Sequence, residues 1–137
     1  MTDVAERTLS VQIADASDVP VMQVRLAAWV RRPGVAHVDA TRVLTAATEL
    51  ATNIVKYARR GTLRAAWVEA NGRSGVELVA DDEGPGIPDV ALALRDRFST
   101  AGTLGLGLPG VRRLMDDFEL RTAPSEGTRV TVRRWLT

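Results

Sequence analysis

The sequence predicts an α+β fold, a two-layer sandwich with helices on one face of a mixed, mostly antiparallel sheet. Two observations predict it. The element order reads β-α-α-β-β-loop-α-β-β. Two pairs of strand-like segments are each closed by a short turn, around "NGRSG" and around "PSEG". No repeat and no linker interrupts the 137 residues, so residues 1–137 are read as one domain, large enough for a real core.

Each element has its own signal. In "RTLSVQIA", residues 7–14, Leu9, Val11 and Ile13 alternate with polar neighbours, the pattern of a half-buried strand. Asp18 followed by Pro20 reads as an N-cap and an early-turn proline. The helix they open carries Met22, Leu26, Trp29 and Val30 and stops at Pro33-Gly34. A second helix runs from about Val38 to Tyr57, with Val43, Ala47, Leu50 and Ile54 as its apolar stripe, and Gly61 closes the region. "LRAAWVEA" and "GVELVA" follow as a strand pair. Residues 89–107 lack a regular apolar pattern. "LPGVRRLMDDF" is a short helix with an early proline, and "FELRTA" and "TRVTVRRW" are the last two strands.

Composition excludes several kinds of chemistry. Eighteen basic and 17 acidic side chains leave a net charge of +1, so no electrostatic case arises for nucleic acid or membrane. The absence of cysteine removes disulfides, thiolate nucleophiles and zinc–cysteine sites. With His37 as the only histidine, a Ser-His-Asp triad would have to pass through it, and a His-rich metal site cannot form. "MTDVAERTLS" has no basic start before an apolar run, and Gln23 and Arg25 break the most apolar helical stretch. A cytoplasmic globular protein is the expectation.

Three polar segments carry candidate chemistry. On the second helix, Glu49 and Asn53 are four residues apart and share a face, which Thr45 and Lys56 extend. Asn53 offers a neutral oxygen for Mg²⁺, a hard cation that keeps several waters. Glu49 can orient or deprotonate a nucleophile, and Lys56 can approach phosphate. Taken alone, the same stripe reads first as a solvated helix face, with Glu49 supporting the helix through local pairs.

The stretch "LVADDEGPGIPD" ends an apolar strand in three adjacent acids. Asp82 is the candidate among them: a carboxylate beside an apolar wall can accept the exocyclic N–H of a purine. Gly84 and Gly86 let a flat ligand approach the backbone, and Pro85 and Pro88 stiffen the turn. Asp81 and Glu83 are left to solvent or to arginine partners. A shared metal site is disfavoured because consecutive strand residues face opposite ways. An ordinary acidic surface turn has the same composition.

In "GTLGLGLPG", Gly105, Gly107 and Gly110 spell G-x-G-x-x-G, yet they follow a long irregular loop late in the chain rather than the first strand of a βαβ unit. A dinucleotide oxidoreductase is therefore rejected. What remains is a glycine segment that either cradles phosphates ahead of Pro109 or is a surface loop.

The order of these segments is more specific than any one of them. E-x-x-x-N on a helix, D-x-G-x-G after a strand, a glycine-rich lid, then Gly127-Thr128 before the last strand resembles the GHKL ATPases of Bergerat fold, from about residue 38 to the C-terminus. The resemblance implies ATP and Mg²⁺, with Asn53 on the metal and Asp82 on the adenine amino group. It implies that Gly84 and Gly86 line the base pocket, that Gly102, Gly105 and Gly107 wrap the phosphates, and that Thr128 supports the adenine beside Gly127. "LGLGLPGVRRLMDDFEL" and "ELATNIVKYARRG" are similar to the RsbT-type switch serine/threonine kinases of the bacterial stressosome. Anti-sigma-factor kinases of the family carry G-M-G-F where this chain has Gly105-Leu106-Gly107-Leu108. The resemblance implies phosphorylation of a serine on a STAS-domain antagonist, with Glu49 as the catalytic carboxylate. It also implies activation of a PPM-type phosphatase once the kinase is released in a partner-switching module. An anti-sigma factor with kinase activity and a non-catalytic nucleotide-sensing adaptor are the alternatives.

Overall fold

The computed structural model describes residues 7–86 and 107–136. Strand β1 spans Thr8–Ile13, helix α1 Asp18–Val30, helix α2 His37–Tyr57, strand β2 Gly61–Ala70 and strand β3 Arg73–Asp82. Helix α3 (Leu108–Leu114), strand β4 (Asp117–Ala123) and strand β5 (Gly127–Trp135) complete the described elements. The five strands lie in the order β1-β2-β3-β5-β4. Every described pairing is antiparallel, so the mixed sheet the sequence suggested is antiparallel throughout the described residues.

Alternation along the strands separates the two faces of the sheet. Leu63 and Ala65 of β2, Val76, Leu78 and Ala80 of β3, and Val130 and Val132 of β5 point inward and are buried. They form one cluster with Met22, Leu26 and Val30 of α1 and with Val43, Ala47, Leu50 and Ile54 of α2. Truncating Leu50 or Ile54, at 1% and 2% exposure, would cost about 2–5 kcal/mol through lost transfer energy and the cavity left behind. The outer face is charged. Arg133 and Glu77 pair across β5 and β3 at 2.8 Å, and Arg121 and Glu119 pair within β4 at 2.8 Å.

Two local readings change. Asp18 is the first residue of α1, and Ser17 stands at the N-cap without a capping side-chain bond. The Asp18 carboxylate reaches back and accepts from the Ala14 and Asp15 N–H groups at 2.7 and 3.2 Å, so it fastens the chain ahead of the helix. The β2–β3 turn is tighter than "NGRSG": Ala70 already faces Arg73, and only Asn71 and Gly72 lie between. Their φ angles of 53° and 77° are the left-handed pair that a two-residue turn needs to match strand twist.

One buried ion pair ties the far end of the sheet to α2. Asp39 in the first turn of α2 is 5% exposed, and Arg134 of β5 donates to it through Nε at 2.9 Å. Arg134 also reaches Asp116 at 3.4 Å.

Candidate functional site

The three adjacent acids divide by the geometry of the strand. Asp81 points to the outer face, where Arg129 of β5 meets it at 2.8 Å and Arg64 of β2 approaches to 4.0 Å. Glu83, just past β3, pairs with Arg60 at 2.9 Å. Both pairs are largely solvent-exposed and worth little in stability. Asp82 turns inward, to the layer where the helices lie.

Asp82 is oriented by the backbone. Its Oδ1 accepts from the Gly84 N–H at 2.8 Å and from the Thr128 N–H at 3.1 Å. Among the described residues no donor engages Oδ2. Burial raises the Asp82 pKa, the two N–H donors pull it down, and neighbouring Asp81 raises it further, for a net upward shift. The carboxylate is thus a fixed, partly desolvated acceptor.

This acceptor borders a small cavity between α2 and the sheet. Leu50, Asn53 and Ile54 of α2 form one wall, Ala80, Asp82, Thr128 and Val130 of the sheet another, and Leu108 of α3 a third. The cavity measures about 40 Å³, room for about one water and less than a purine. A purine base needs a wider opening than this. An apolar slot with a few fixed polar groups is the usual make-up of a small-molecule site.

The structure brings Asn53, Asp82 and Thr128 to one cavity and leaves other candidates outside its wall. Glu49 is exposed, and its carboxylate lies against Gly107, at the N-cap of α3. Lys56 is exposed near the end of α2. Gly84 and Gly86 do not line the cavity. A methyl group on Gly84 would meet Ala58 at 2.9 Å, and one on Gly86 would meet the Ala123 carbonyl, so their small size serves close backbone packing here. Gly102 and Gly105 lie outside the described residues. Thr45 spends its hydroxyl on the Thr41 carbonyl at 2.8 Å.

Gly127 has a φ of 85°, and any Cβ there would collide with the Asp82 carbonyl. Glycine at this position lets β5 start close enough to β3 for the Thr128 N–H to reach Asp82. The sequence reading overlooked Thr122 of β4. Its hydroxyl is 3.0 Å from that of Thr128, which lies directly opposite in the β4–β5 register. Counting back from the Ala123–Gly127 hairpin would have found it. Among the described residues no cluster of three acidic or histidine side chains could hold a metal. A single amide oxygen, Asn53, suits an ion held chiefly by phosphate and water. No described helix is long and apolar enough to cross a membrane.

A helix-borne amide and a backbone-held strand-end carboxylate, set under helices on an antiparallel sheet, define the class. The chain belongs to the histidine kinase-like ATPase domain family, whose profile matches residues 7–134. Within that family it is similar to the serine/threonine-protein kinase RsbT of Bacillus subtilis, with 47% identity over 103 residues that make up 75% of this chain and 77% of the relative. It is also similar to the anti-sigma F factor of Caldanaerobacter subterraneus subsp. tengcongensis, 27% identical over 100 residues, covering 69% of this chain and 68% of that one. A solved structure of the RsbU and RsbW domains of Rv1364c from Mycobacterium tuberculosis overlays with a TM-score of 0.65 over 94% of this chain. At 17% identity that likeness shows the fold, and this chain spans 32% of the length of that one.

Proposed function

We propose that this chain is an ATP-dependent protein serine/threonine kinase, a single catalytic domain acting in the cytoplasm. One observation carries the reading: Asp82 is held through Oδ1 by two backbone N–H groups, with Oδ2 left over beside a cavity that Asn53 and Thr128 also line. A fixed carboxylate oxygen next to apolar walls suits the amino edge of adenine. The 47% identity to a serine/threonine-protein kinase supports the same reading.

In this proposal Asp82 accepts from the adenine amino group, and Thr128, steadied by Thr122, supports the ring. Gly84 and Gly86 shape the backbone beside the base. Gly102, Gly105 and Gly107 surround the phosphates, and Lys56 lies on their side of α2. Asn53 would hold Mg²⁺, which when bound supplies charge neutralisation for phosphoryl transfer. Glu49 orients the acceptor hydroxyl and takes its proton late, because a free carboxylate is a weak base toward an alcohol. The acceptor is a serine on a STAS-domain antagonist. Once released, the kinase engages a PPM-type phosphatase as the other arm of a partner-switching stress module.

The test is transfer of labelled phosphate from ATP to candidate STAS proteins. Label on the STAS serine, lost in Asn53→Ala, is expected. ATP binding without transfer to any acceptor would replace the kinase by a nucleotide-sensing adaptor. A second reading, an anti-sigma factor with kinase activity, is favoured by the similarity to an anti-sigma F factor. Pull-down with a sigma factor, a STAS protein and a phosphatase regulatory domain separates the two, since only the anti-sigma reading retains the sigma factor.

A further inference from the structure

A second cavity lies at the other end of the sheet. β2 and β3 each run ten residues from the Gly61–Asp82 pair to the Asn71-Gly72 turn, which sets that end about 30 Å from Asp82 at about 3.3 Å per residue. There the β2–β3 hairpin, the α1–α2 loop and the end of β5 enclose a groove of about 970 Å³. That is the upper end of the range for ligand pockets, about 300–1,000 Å³, and far more than one phosphate needs.

All three tryptophans of the chain gather at this groove. Trp67 and Trp135 are in its wall, and Trp29 stacks on Trp67 with ring centroids 4.6 Å apart. Two arginines lie over these indoles. The Arg32 guanidinium is 4.5 Å from the Trp67 ring centroid, and the Arg73 guanidinium 5.0 Å from that of Trp135. Arg7 is a third in the wall. Among the described residues none of these three pairs with a carboxylate. The contrast with Arg134 in the same wall is direct, because Asp39 and Asp116 satisfy it. Glu69, also in the wall, is exposed and without an ion-pair partner among the described residues.

Stacking on an indole fixes a guanidinium and leaves its N–H edge for an acceptor. A fixed guanidinium fork matches a carboxylate, and less of its freedom is lost on binding. The three arginines sit on three separate segments: ahead of β1, after α1 and after the hairpin turn. Such an array suits several acids spaced along an extended chain, and the apolar wall of Pro33, Val35 and Leu136 suits apolar residues between them. We propose that this groove docks an acidic, leucine-bearing peptide segment of a protein partner, at a site separate from the nucleotide cavity.

Because every tryptophan is at the groove, intrinsic fluorescence reports occupancy directly. The experiment titrates the full chain with a short synthetic peptide in which Asp-Glu pairs alternate with leucine. The expected result is a saturable change that weakens with added salt. Arg32→Gln and Arg73→Gln should each lower affinity by roughly tenfold. Ser74→Glu removes none of the groove's stacking or ion-pair contacts and places a second carboxylate at an exposed wall position, opposite Glu69 in the β2–β3 register, so it should weaken binding in a chain whose melting temperature falls by no more than a few degrees. A flat titration overturns the proposal. So does an equal response to the matched peptide with Asn and Gln, or full affinity in Ser74→Glu. Inorganic phosphate that displaces the peptide at equal concentration would mark a generic anion site, and tighter binding of a single-stranded oligonucleotide would assign the groove to nucleic acid; either overturns it.

Discussion

Asp82→Asn separates binding from folding, and the structure says how far. The variant keeps Oδ1 as acceptor for the Gly84 and Thr128 N–H groups and replaces Oδ2 by an NH₂ donor. In the proposed site a donor would face the adenine amino group and leave two donors opposed, at a cost of about 1–3 kcal/mol or about 5- to 150-fold in Kd. With ATP about 100-fold above Kd, mass action stabilises the folded wild type by about 2.7 kcal/mol. If affinity falls about 30-fold, the same ATP contributes about 0.9 kcal/mol. For 137 residues the unfolding entropy makes 1 kcal/mol worth about 3.5 °C. ATP should therefore raise Tm by about 9 °C in the wild type and about 3 °C in the variant. Without ATP the order reverses. Burial holds the Asp82 pKa above its ordinary 3.8, so the proton-linked stability is fully present below 3.8 and is lost as pH rises through the raised value. The neutral amide escapes that loss. Apo Asp82→Asn should match or exceed the wild type at neutral pH, and the difference should close as pH falls below 3.8. Scanning calorimetry with and without ATP measures both. An unchanged ATP shift in the folded variant refutes the adenine contact, and an apo variant that loses stability at neutral pH refutes the burial argument.

Four further outcomes follow from named contacts. Glu49→Gln should hold ATP within a few-fold yet slow single-turnover transfer to the STAS serine by about 10²–10⁴-fold; near-normal transfer would leave Glu49 as a helix-surface residue. Asn53→Ala should lose Mg²⁺-dependent transfer while still retaining a STAS partner in pull-down, because the substitution alters one half-buried side chain; complete loss of the partner would mean that nucleotide builds the interface. Arg134→Met should cost about 3 kcal/mol in urea denaturation, since Asp39 at 5% exposure is left charged without its partner. Gly127→Ala, at φ 85° and against the Asp82 carbonyl, should cost more than about 1 kcal/mol and weaken ATP binding together, and a cost without any binding defect would detach Gly127 from the site.

Much of the architecture was legible because each element carries its own period. The buried stripe Val43, Ala47, Leu50 and Ile54 follows the helical repeat, and Leu9, Val11 and Ile13 follow the strand repeat. Local side-chain chemistry was less legible. Asp18 looked like a cap, but whether a carboxylate bonds forward to its helix or back to the preceding turn depends on dihedrals that composition does not specify. Gly84 and Gly86 looked like clearance for a ligand, and the neighbours they press against, Ala58 and Ala123, come from elsewhere in the chain.

By itself the sequence determined the element order, the apolar faces, the family resemblance and the inward placement of one acid out of three, because strand alternation and helical spacing are local properties of the chain. Only the tertiary structure decided which groups meet. Thr128 reaches Asp82 because β5 inserts between β3 and β4, across 46 residues of sequence. The buried Asp39–Arg134 pair closes over 95 residues. The tryptophan–arginine groove forms where the end of α1, the hairpin and the end of β5 converge. Such contacts follow from the way each buried face packs against another, a many-body condition that no stretch of sequence contains.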